Sequence, residues 1–299
     1  MGLTLASLRF LAREHRRKAF GGAVLTLGRQ GVYATPEQAA AVLQKEGVDC
    51  RPLPPEVPLR SNIPACRGTP YEQFISDAAF FTWLGADSVR ALDYSNFEGA
   101  ELLADLNQPL ATELRGQFDL VVDAGTLEHI FHVPQALANI GTLLKPGGRV
   151  VHISPANNFT NHGFYQICPT LYADYYRTNG YVDVQCFLAE HRTQRIEFAP
   201  VSYYRLEPGR QPCLMLSPRM LQSICIAEKT PTSTVDRIPI QSYYADLYRA
   251  ERGEGAPDDS LAGRLKSFLP SSVKHFIRRH ILRLHDHHRP WRLKRWARF

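Results

Sequence analysis

The sequence lacks long hydrophobic runs and a recognisable leader. No apolar stretch approaches the roughly 18 consecutive residues that a membrane span needs. In residues 1–20, basic side chains alternate with apolar ones, whereas a signal peptide places its charges before an apolar run. These absences predict a cytoplasmic protein.

Cysteine pairs and metal-binding spacings are also missing. None of the six cysteines forms a C-x-x-C pair, so neither a zinc site nor a disulfide framework is indicated. His129 and His132 lie three residues apart, but no third ligand follows at a metal-binding spacing. The segment 285–288 (HDHH) is interpreted as solvated. The sequence therefore predicts reduced, structural thiols and no metal site.

The dinucleotide-binding motif G-x-G-x-x-G is absent as well. A short apolar run, residues 23–28, predicts a first buried strand, and it leads into Gly28-Arg29-Gln30-Gly31. This departure argues against a nicotinamide or nucleotide-sugar enzyme.

Charge is distributed unevenly along the chain, whose formal net charge is +6. Residues 261–299 contain eleven Lys and Arg against one acid, Asp286, which gives +10 and leaves −4 for residues 1–260. The sequence thus predicts a mildly acidic body and a strongly basic tail.

The 299 residues, 44% of them apolar, suffice for one core with appendages. We predict an amphipathic N-terminal helix in residues 1–20, a catalytic domain in 21–230 with a Pro-rich insertion at 51–70, and a linker with a basic tail in 231–299.

Strand and helix patterns alternate within the central domain. Predicted strands cover residues 23–28, 88–93, 101–105, 118–123 and 149–154, with 181–188 and 221–227 as an antiparallel edge pair. Predicted helices cover residues 36–46, 71–84 and 134–144, the first opened by a capping box at Thr35. This alternation predicts an α/β fold with a doubly wound, mostly parallel sheet.

Polar residues gather where the predicted strands end. In such sheets, ligands bind beyond the carboxyl ends of the strands, at a topological switch point. Asp93 can accept both hydroxyls of a ribose there, and Asp105 can hold an adenine amine.

Residues 118–155 (FDLVVDAGTLEHIFHVPQALANIGTLLKPGGRVVHISP) resemble the segment of class I S-adenosylmethionine-dependent methyltransferases that includes the fourth strand, the KPGG turn and the fifth strand. The resemblance extends over roughly residues 21–230 and implies a Rossmann-like core with S-adenosylmethionine as cofactor. It implies that Asp93 binds the ribose, that Asp105 and Leu106 bind the adenine, and that residues 123–129 form the floor of the site.

The first loop departs from the family pattern. Family members place small residues where this chain has Gln30 and Val32, and these let the backbone approach the cofactor. Gly28 and the amide of Gln30 are the expected cofactor contacts of this loop, and Asp123 and Gly125 those of the fourth strand. A non-catalytic binding or scaffold protein that uses the same crevice is the rival hypothesis.

Methyl transfer depends largely on the alignment of acceptor and methyl group, so a base is optional. If one acts, His129 and Glu128 at the mouth of the fourth strand are the first candidates, and His162 is the next. The acceptor is unidentified.

Several of these residues have structural interpretations too. Asp123 and Glu128 could cap the following helix, and Arg29 could form a salt bridge instead of binding a methionine carboxylate. The tyrosines at helical spacing are more typical of core packing than of an acceptor box; they are Tyr172, Tyr175 and Tyr176.

The tail combines basic residues with an apolar helical face in residues 273–284 and with aromatic residues in 291–299. This pattern is typical of a helix at an anionic membrane surface, so peripheral attachment at the inner face is expected. Nucleic acid is the competing partner, and docking on the protein's own acidic body is a third possibility.

Overall fold

A computed structural model describes residues 2–63, 68–192, 200–206, 215, 217–252 and 294–298 of the chain. A mixed β-sheet lies at the centre of the fold. Its strands are β1 (Gly22–Leu27), β2 (Ala86–Asp93), β3 (Leu102–Leu103), β4 (Phe118–Ala124), β5 (Leu144–Asn157), β6 (Val182–His191), β7 (Val201–Leu206), β8 (Leu221–Glu228) and β9 (Lys294–Arg298). Within the described residues they follow the order β3-β2-β1-β4-β5-β8-β6-β7-β9, and β7 and β8 run antiparallel to the others.

Helices cover both faces of this sheet. The helices of the described residues are α1 (Leu5–Arg17), α2 (Pro36–Lys45), α3 (Asp77–Trp83), α4 (Val133–Leu143), α5 (Pro169–Thr178) and α6 (Ser242–Glu251). Successive strand residues point to opposite faces, so Val24 packs with residues of α1, α2 and α3 whereas Leu25 packs with those of α4 and α5. The predicted doubly wound α/β fold is confirmed.

The N-terminal helix α1 packs directly on the body. Leu8, Phe10 and Leu11 are fully buried in the core that the sheet residues share. Arg149 of β5 binds Glu14 at 3.1 Å, and both side chains are buried. This ion pair ties the helix to the centre of the sheet.

The long segment between β1 and β2 contains α2, the Pro-rich insertion and α3. Residues 48–50 form no strand, and β2 pairs in parallel with β1 from Ala86 onward. Within the insertion, Leu53 and Val57 pack against the core. Helix α2 follows its prediction, with the capping box between Thr35 and Gln38.

Some sequence predictions of individual elements were wrong. Instead of the single helix predicted at 71–84, the structure has a 3₁₀ turn (Pro70–Gln73) followed by α3. The strand predicted at 101–105 is shorter and consists of β3 alone. β6 and β8 pair antiparallel as expected, but β7 and β9 lie outside them, so they are not the sheet edge. Helix α6 lies in the segment expected to be a linker.

The basic tail is described only at β9, which pairs antiparallel with β7. The amphipathic helix predicted at 273–284 lies outside the described residues. None of the described helices combines the length and apolarity needed to cross a bilayer.

Candidate active site

A cleft of about 600 Å³ opens at the carboxyl ends of β1, β2 and β4. This is the switch point of the sheet, because the chain leaves β1 toward β2 on one side and enters β4 on the other. The loop 28–33, Asp93, residues of the insertion and part of the loop after β4 line the cleft.

Gly28 turns the chain at the tip of β1. Its φ is +69°, a left-handed conformation that favours glycine, and its N–H donates to the Leu92 carbonyl at 2.7 Å. A Cβ at this position would lie 3.4 Å from Thr126 Oγ1 and 3.6 Å from Asp93 Oδ2. The loop is therefore held close to the ends of both neighbouring strands.

Asp93 ends β2 inside the cleft, as the sequence predicted for a strand-tip acid. Its Oδ1 accepts hydrogen bonds from the amides of Tyr94 at 2.6 Å and Ser95 at 3.4 Å. Oδ2 lies on the side of Gly28. One carboxylate oxygen is thus fixed by the chain and the other faces the cleft.

Gln30 folds back over the end of β1. Its backbone N–H donates to Asp77 Oδ2 at 3.0 Å and its Nε2 donates to the Leu27 carbonyl at 2.6 Å, whereas the buried Oε1 has no partner among the described residues. The Gln30 side chain therefore occupies its own loop and offers the cleft an acceptor rather than a donor.

The guanidinium of Arg29 binds other residues of the protein. It forms ion pairs with Asp77, at 3.4 Å, and with Glu101, and it donates to the Gly99 carbonyl at 2.8 Å. Its side chain is largely buried, so the structure realises the salt-bridge alternative. Burial raises the pKa of Asp77, and Arg29 opposes that rise. Sequence reasoning missed Asp77, whose only signal was its position after the N-cap Ser76.

Asp123 supports the site from beneath. Its Oδ1 accepts the amides of Thr126 and Leu127, both at 3.1 Å, and its Oδ2 lies 2.7 Å from His152 Nδ1. His152 Nε2 lies 2.7 Å from the hydroxyl of Tyr176. Asp123 is fully buried, and the amides it accepts lie at the start of the 3₁₀ turn Leu127–His129. It does not cap the following helix α4, whose N-cap is His132.

Of the remaining predicted cofactor contacts, one lies in the cleft and two do not. Gly125, with φ +97°, lines the cleft. Asp105 Oδ1 accepts from the backbone and side-chain nitrogens of Asn107, both at 2.8 Å, and Leu106 is buried in the core. Neither Asp105 nor Leu106 is part of the cleft lining.

The three candidate catalytic residues lie together. Glu128 Oε1 is 3.5 Å from His162 Nε2 and 3.9 Å from His129 Nε2, and the two imidazole centroids are 5.1 Å apart. His129 also lines the cleft. Burial, with a contribution from Asp123, raises the pKa of Glu128 to about 8, and burial lowers the pKa of both histidines.

The loop after β5 is docked on the turn that holds Glu128. The Glu128 carbonyl accepts from the amides of Phe164 at 2.8 Å and Tyr165 at 3.2 Å. Gly163 permits this approach, because a Cβ there would lie 2.8 Å from the same carbonyl oxygen. This docking brings His162 to the mouth of β4.

Aromatic side chains differ in exposure around this loop. Phe131 and Phe164 are 70% and 66% exposed and contact each other edge-on. Tyr172 and Tyr176 are fully buried, as expected of core residues, although their hydroxyls bind Ser154 and His152.

Residues 86–150 match the family model described as a methyltransferase domain. No curated protein matches the chain. A 1,6-didemethyltoxoflavin-N1-methyltransferase from Burkholderia thailandensis, solved with bound 1,6-didemethyltoxoflavin and S-adenosylhomocysteine, is 13% identical over 76% of this chain and 78% of its own, with a TM-score of 0.35.

Two further structures are similar at the same level. A SAM-dependent methyltransferase from Archaeoglobus fulgidus is 12% identical over 75% of this chain and 95% of its own, with a TM-score of 0.37. A phosphoethanolamine N-methyltransferase 2 from Haemonchus contortus is 12% identical over 74% of this chain, with a TM-score of 0.37, and this chain spans 52% of its length. TM-scores this low assign no substrate to this chain.

The matched segment begins at the start of β2, contains Asp93, β4, the turn with Glu128 and all of α4, and ends halfway along β5. Residues 86–150 are therefore similar to a methyltransferase domain, and they lie within the doubly wound sheet.

Proposed function

We propose that the protein transfers a methyl group from S-adenosylmethionine, bound in the cleft, to an unidentified acceptor. The observation that carries this proposal is the Asp93 carboxylate, whose Oδ2 lies beside Gly28 in the cleft at the switch point of the sheet. A volume of about 600 Å³ lies within the range of small-molecule sites, roughly 300–1,000 Å³.

The residues of the cleft fit this cofactor. Asp93 Oδ2 is placed to accept ribose hydroxyls, since its other oxygen is already held by backbone amides. The unpaired Oε1 of Gln30 is a buried acceptor, and an ammonium group such as that of the methionine moiety would satisfy it. A Cβ at Gly28 would lie 3.6 Å from Asp93 Oδ2 and 4.0 Å from Gln30 Nε2, so the absence of a side chain there leaves this space free.

Transfer of the methyl group requires alignment more than side-chain chemistry. His129 lies on the wall of the cleft, and Glu128 and His162 lie behind it, so these three are the candidates for moving a proton from the acceptor. Asp105 remains a predicted adenine contact from its position at the end of the strand predicted at 101–105 and from the sequence resemblance, and Leu106 from the resemblance.

A second candidate function is a non-catalytic binding protein built on the same fold. Gln30 favours this alternative. Its backbone N–H and its side-chain amide already donate hydrogen bonds to Asp77 and to the Leu27 carbonyl, so the loop has few donors for a ligand. Cofactor binding separates the two candidates.

The test is a thermal melt with and without S-adenosylmethionine. We expect the cofactor to raise the melting temperature of the wild type, because a ligand that binds only the folded state stabilises it. Asp93→Ala should remove this rise while leaving the ligand-free melting point nearly unchanged. Asp87→Ala, at the exposed start of the same strand, is the matched control and should keep the rise. An unshifted wild type would support the binding-protein alternative.

The basic tail supports a further part of the proposal, a peripheral attachment to anionic membrane from the cytoplasmic side. Eleven Lys and Arg in residues 261–299 supply the charge, at about 1 kcal/mol for each basic group near such a surface. Nucleic acid, the competing anion, is disfavoured by the apolar face predicted at 273–284.

A further inference from the structure

A carboxylate and two imidazoles converge behind the cleft. Glu128 lies in the short turn after β4 and is fully buried, His129 follows it, and His162 comes from the loop after β5. The ligand-type atoms of these three residues all lie within 4.8 Å of one another. They are brought together by the docking of the second loop on the Glu128 carbonyl.

Among the described residues, no group donates a hydrogen bond to the Glu128 carboxylate. Neither of its carboxylate oxygens has a hydrogen-bond partner among the described residues, and neither does Nε2 of His162. A buried polar group without a partner is costly, so native structures pair such groups with a donor, a water or an ion. The nearest polar atoms to Glu128 Oε1 in this cluster are the two imidazole nitrogens, which carry lone pairs when neutral.

One carboxylate and two imidazoles form a donor set that first-row transition metals prefer. Bonds of about 2.0–2.2 Å place two ligands of one ion about 3–3.5 Å apart. The observed separations of 3.5 and 3.9 Å from Glu128 Oε1 are close to this range. Side-chain rotation of the two partly exposed histidines, with 44% and 31% exposure, is enough to close the remainder.

We propose that Glu128, His129 and His162 bind one divalent first-row transition-metal ion. The ion lies at the wall of the cleft, because His129 lines it. This revises the sequence prediction of no metal site. That prediction paired His129 with His132, whereas the third ligand, His162, is remote in sequence and arrives through tertiary contacts.

The turn that carries the first two ligands is rigid. Asp123 holds it through the amides of Thr126 and Leu127, and Asp123 is itself fixed by His152. Buried partners of this kind keep ligands oriented in known metal centres. The backbone that carries Glu128 and His129 is therefore fixed before an ion arrives.

The test is calorimetric titration of the metal-stripped full chain with Zn²⁺, Co²⁺ and Mn²⁺. The chain carries His285→Ala, His287→Ala and His288→Ala, so that the tail histidines do not bind ions of their own. We expect one ion per chain for at least one of these metals, and weaker binding of Mg²⁺ and Ca²⁺, which prefer all-oxygen sites. Bound Co²⁺ should also give visible absorption.

Glu128→Gln and His162→Ala should each weaken binding by more than about a hundredfold, since even partners of metal ligands typically contribute roughly 10–100-fold. His132→Ala is the matched control, because His132 is exposed, lies three residues from His129 and makes no side-chain cap bond. It should bind like the parent.

Two results would overturn the proposal. One is the absence of metal binding in the parent chain. The other is a metal affinity in Glu128→Gln and His162→Ala that equals the affinity of the parent chain. Tighter binding of Mg²⁺ than of every transition metal would overturn the assigned class of ion. The Glu128→Gln variant keeps the test decisive if His162→Ala does not fold, because the backbone contacts of Glu128 to the second loop do not involve its side chain. Metal binding is measured without S-adenosylmethionine, so its outcome is independent of the proposed function.

Discussion

Substitution of His152 tests how the floor of the site is held. His152 is fully buried between Asp123 Oδ2 and the hydroxyl of Tyr176, each at 2.7 Å. Because a carboxylate only accepts, the arrangement is satisfied when Nδ1–H donates to Asp123 and Nε2 accepts from Tyr176. The imidazole also stacks on Tyr172, with ring centroids 4.3 Å apart. His152→Ala therefore removes two hydrogen bonds and a packed ring at once.

The expected cost is large. Truncating a large buried ring to alanine destabilises a protein by about 3–5 kcal/mol, and here Asp123 and Tyr176 also lose their buried hydrogen-bond partner. At about 2–4 °C per kcal/mol, this predicts a fall in melting temperature of at least about 6 °C. Tyr176→Phe should cost about 1–3 kcal/mol, since Asp123 keeps its donor.

Urea unfolding measures both variants, with His132→Ala as an exposed histidine control expected within about 0.5 kcal/mol of wild type. A loss below about 1 kcal/mol for His152→Ala would refute the reasoning, because Asp123 would then hold the turn without help from His152.

Three further predictions concern the cleft, the reaction and the tail. Gly28→Ala, at φ +69°, and Gly147→Ala, at φ +83° in open space, should each lose about 1–2 kcal/mol of stability in urea. Of the two, only Gly28→Ala should weaken the binding of S-adenosylhomocysteine, measured by calorimetry. Equal affinity in Gly28→Ala and the wild type would show that Gly28 is not part of the site. His129→Ala and His162→Ala should lower turnover of an identified acceptor by roughly 10²- to 10⁴-fold and change cofactor affinity only a few-fold; normal turnover in both would leave alignment alone as the source of catalysis. The full chain should co-sediment with anionic but not neutral vesicles and be released by salt, and glutamate at the basic positions of 264–283 should abolish sedimentation; tighter binding to duplex DNA would indicate nucleic acid instead.

The sequence predicts the centre of the fold well because its signals there are local. The apolar run 23–28, the capping box at Thr35 and the acid-terminated strand at 118–123 each belong to one element, and each is confirmed with bounds shifted by a residue or so. The helix predicted at 71–84 fails for a tertiary reason. Ile75 and Ser76 donate to the carbonyls of Ala34 and Leu59, so the chain is extended there and α3 begins anew at the Ser76 N-cap.

The outer strands were missed for different reasons. Val201–Leu206 contains one β-branched residue and two tyrosines, a usable strand signal that the prediction overlooked. Lys294–Arg298, by contrast, is mostly basic, and only its pairing with β7 makes it a strand. Pairing between distant segments leaves no local pattern in such a sequence.

At the site, sequence patterns place residues at strand ends but not side chains in space. Asp93 and Gly125 lie in the cleft because strand-tip positions converge in a parallel sheet. Asp123 occupies an equivalent position, yet its carboxylate turns inward to His152 and the backbone amides. The closeness of Glu128 to His162 depends on loop docking, which no spacing in the sequence encodes.

Calorimetric titration of S-adenosylhomocysteine into the wild type and Asp93→Ala measures whether the cleft binds the cofactor. We expect one site per chain in the wild type and, in Asp93→Ala, a loss of affinity of at least about tenfold, since hydrogen bonds to a charged group contribute about 1.5–3 kcal/mol. No heat of binding in the wild type, or equal affinity in the two proteins, would contradict this expectation.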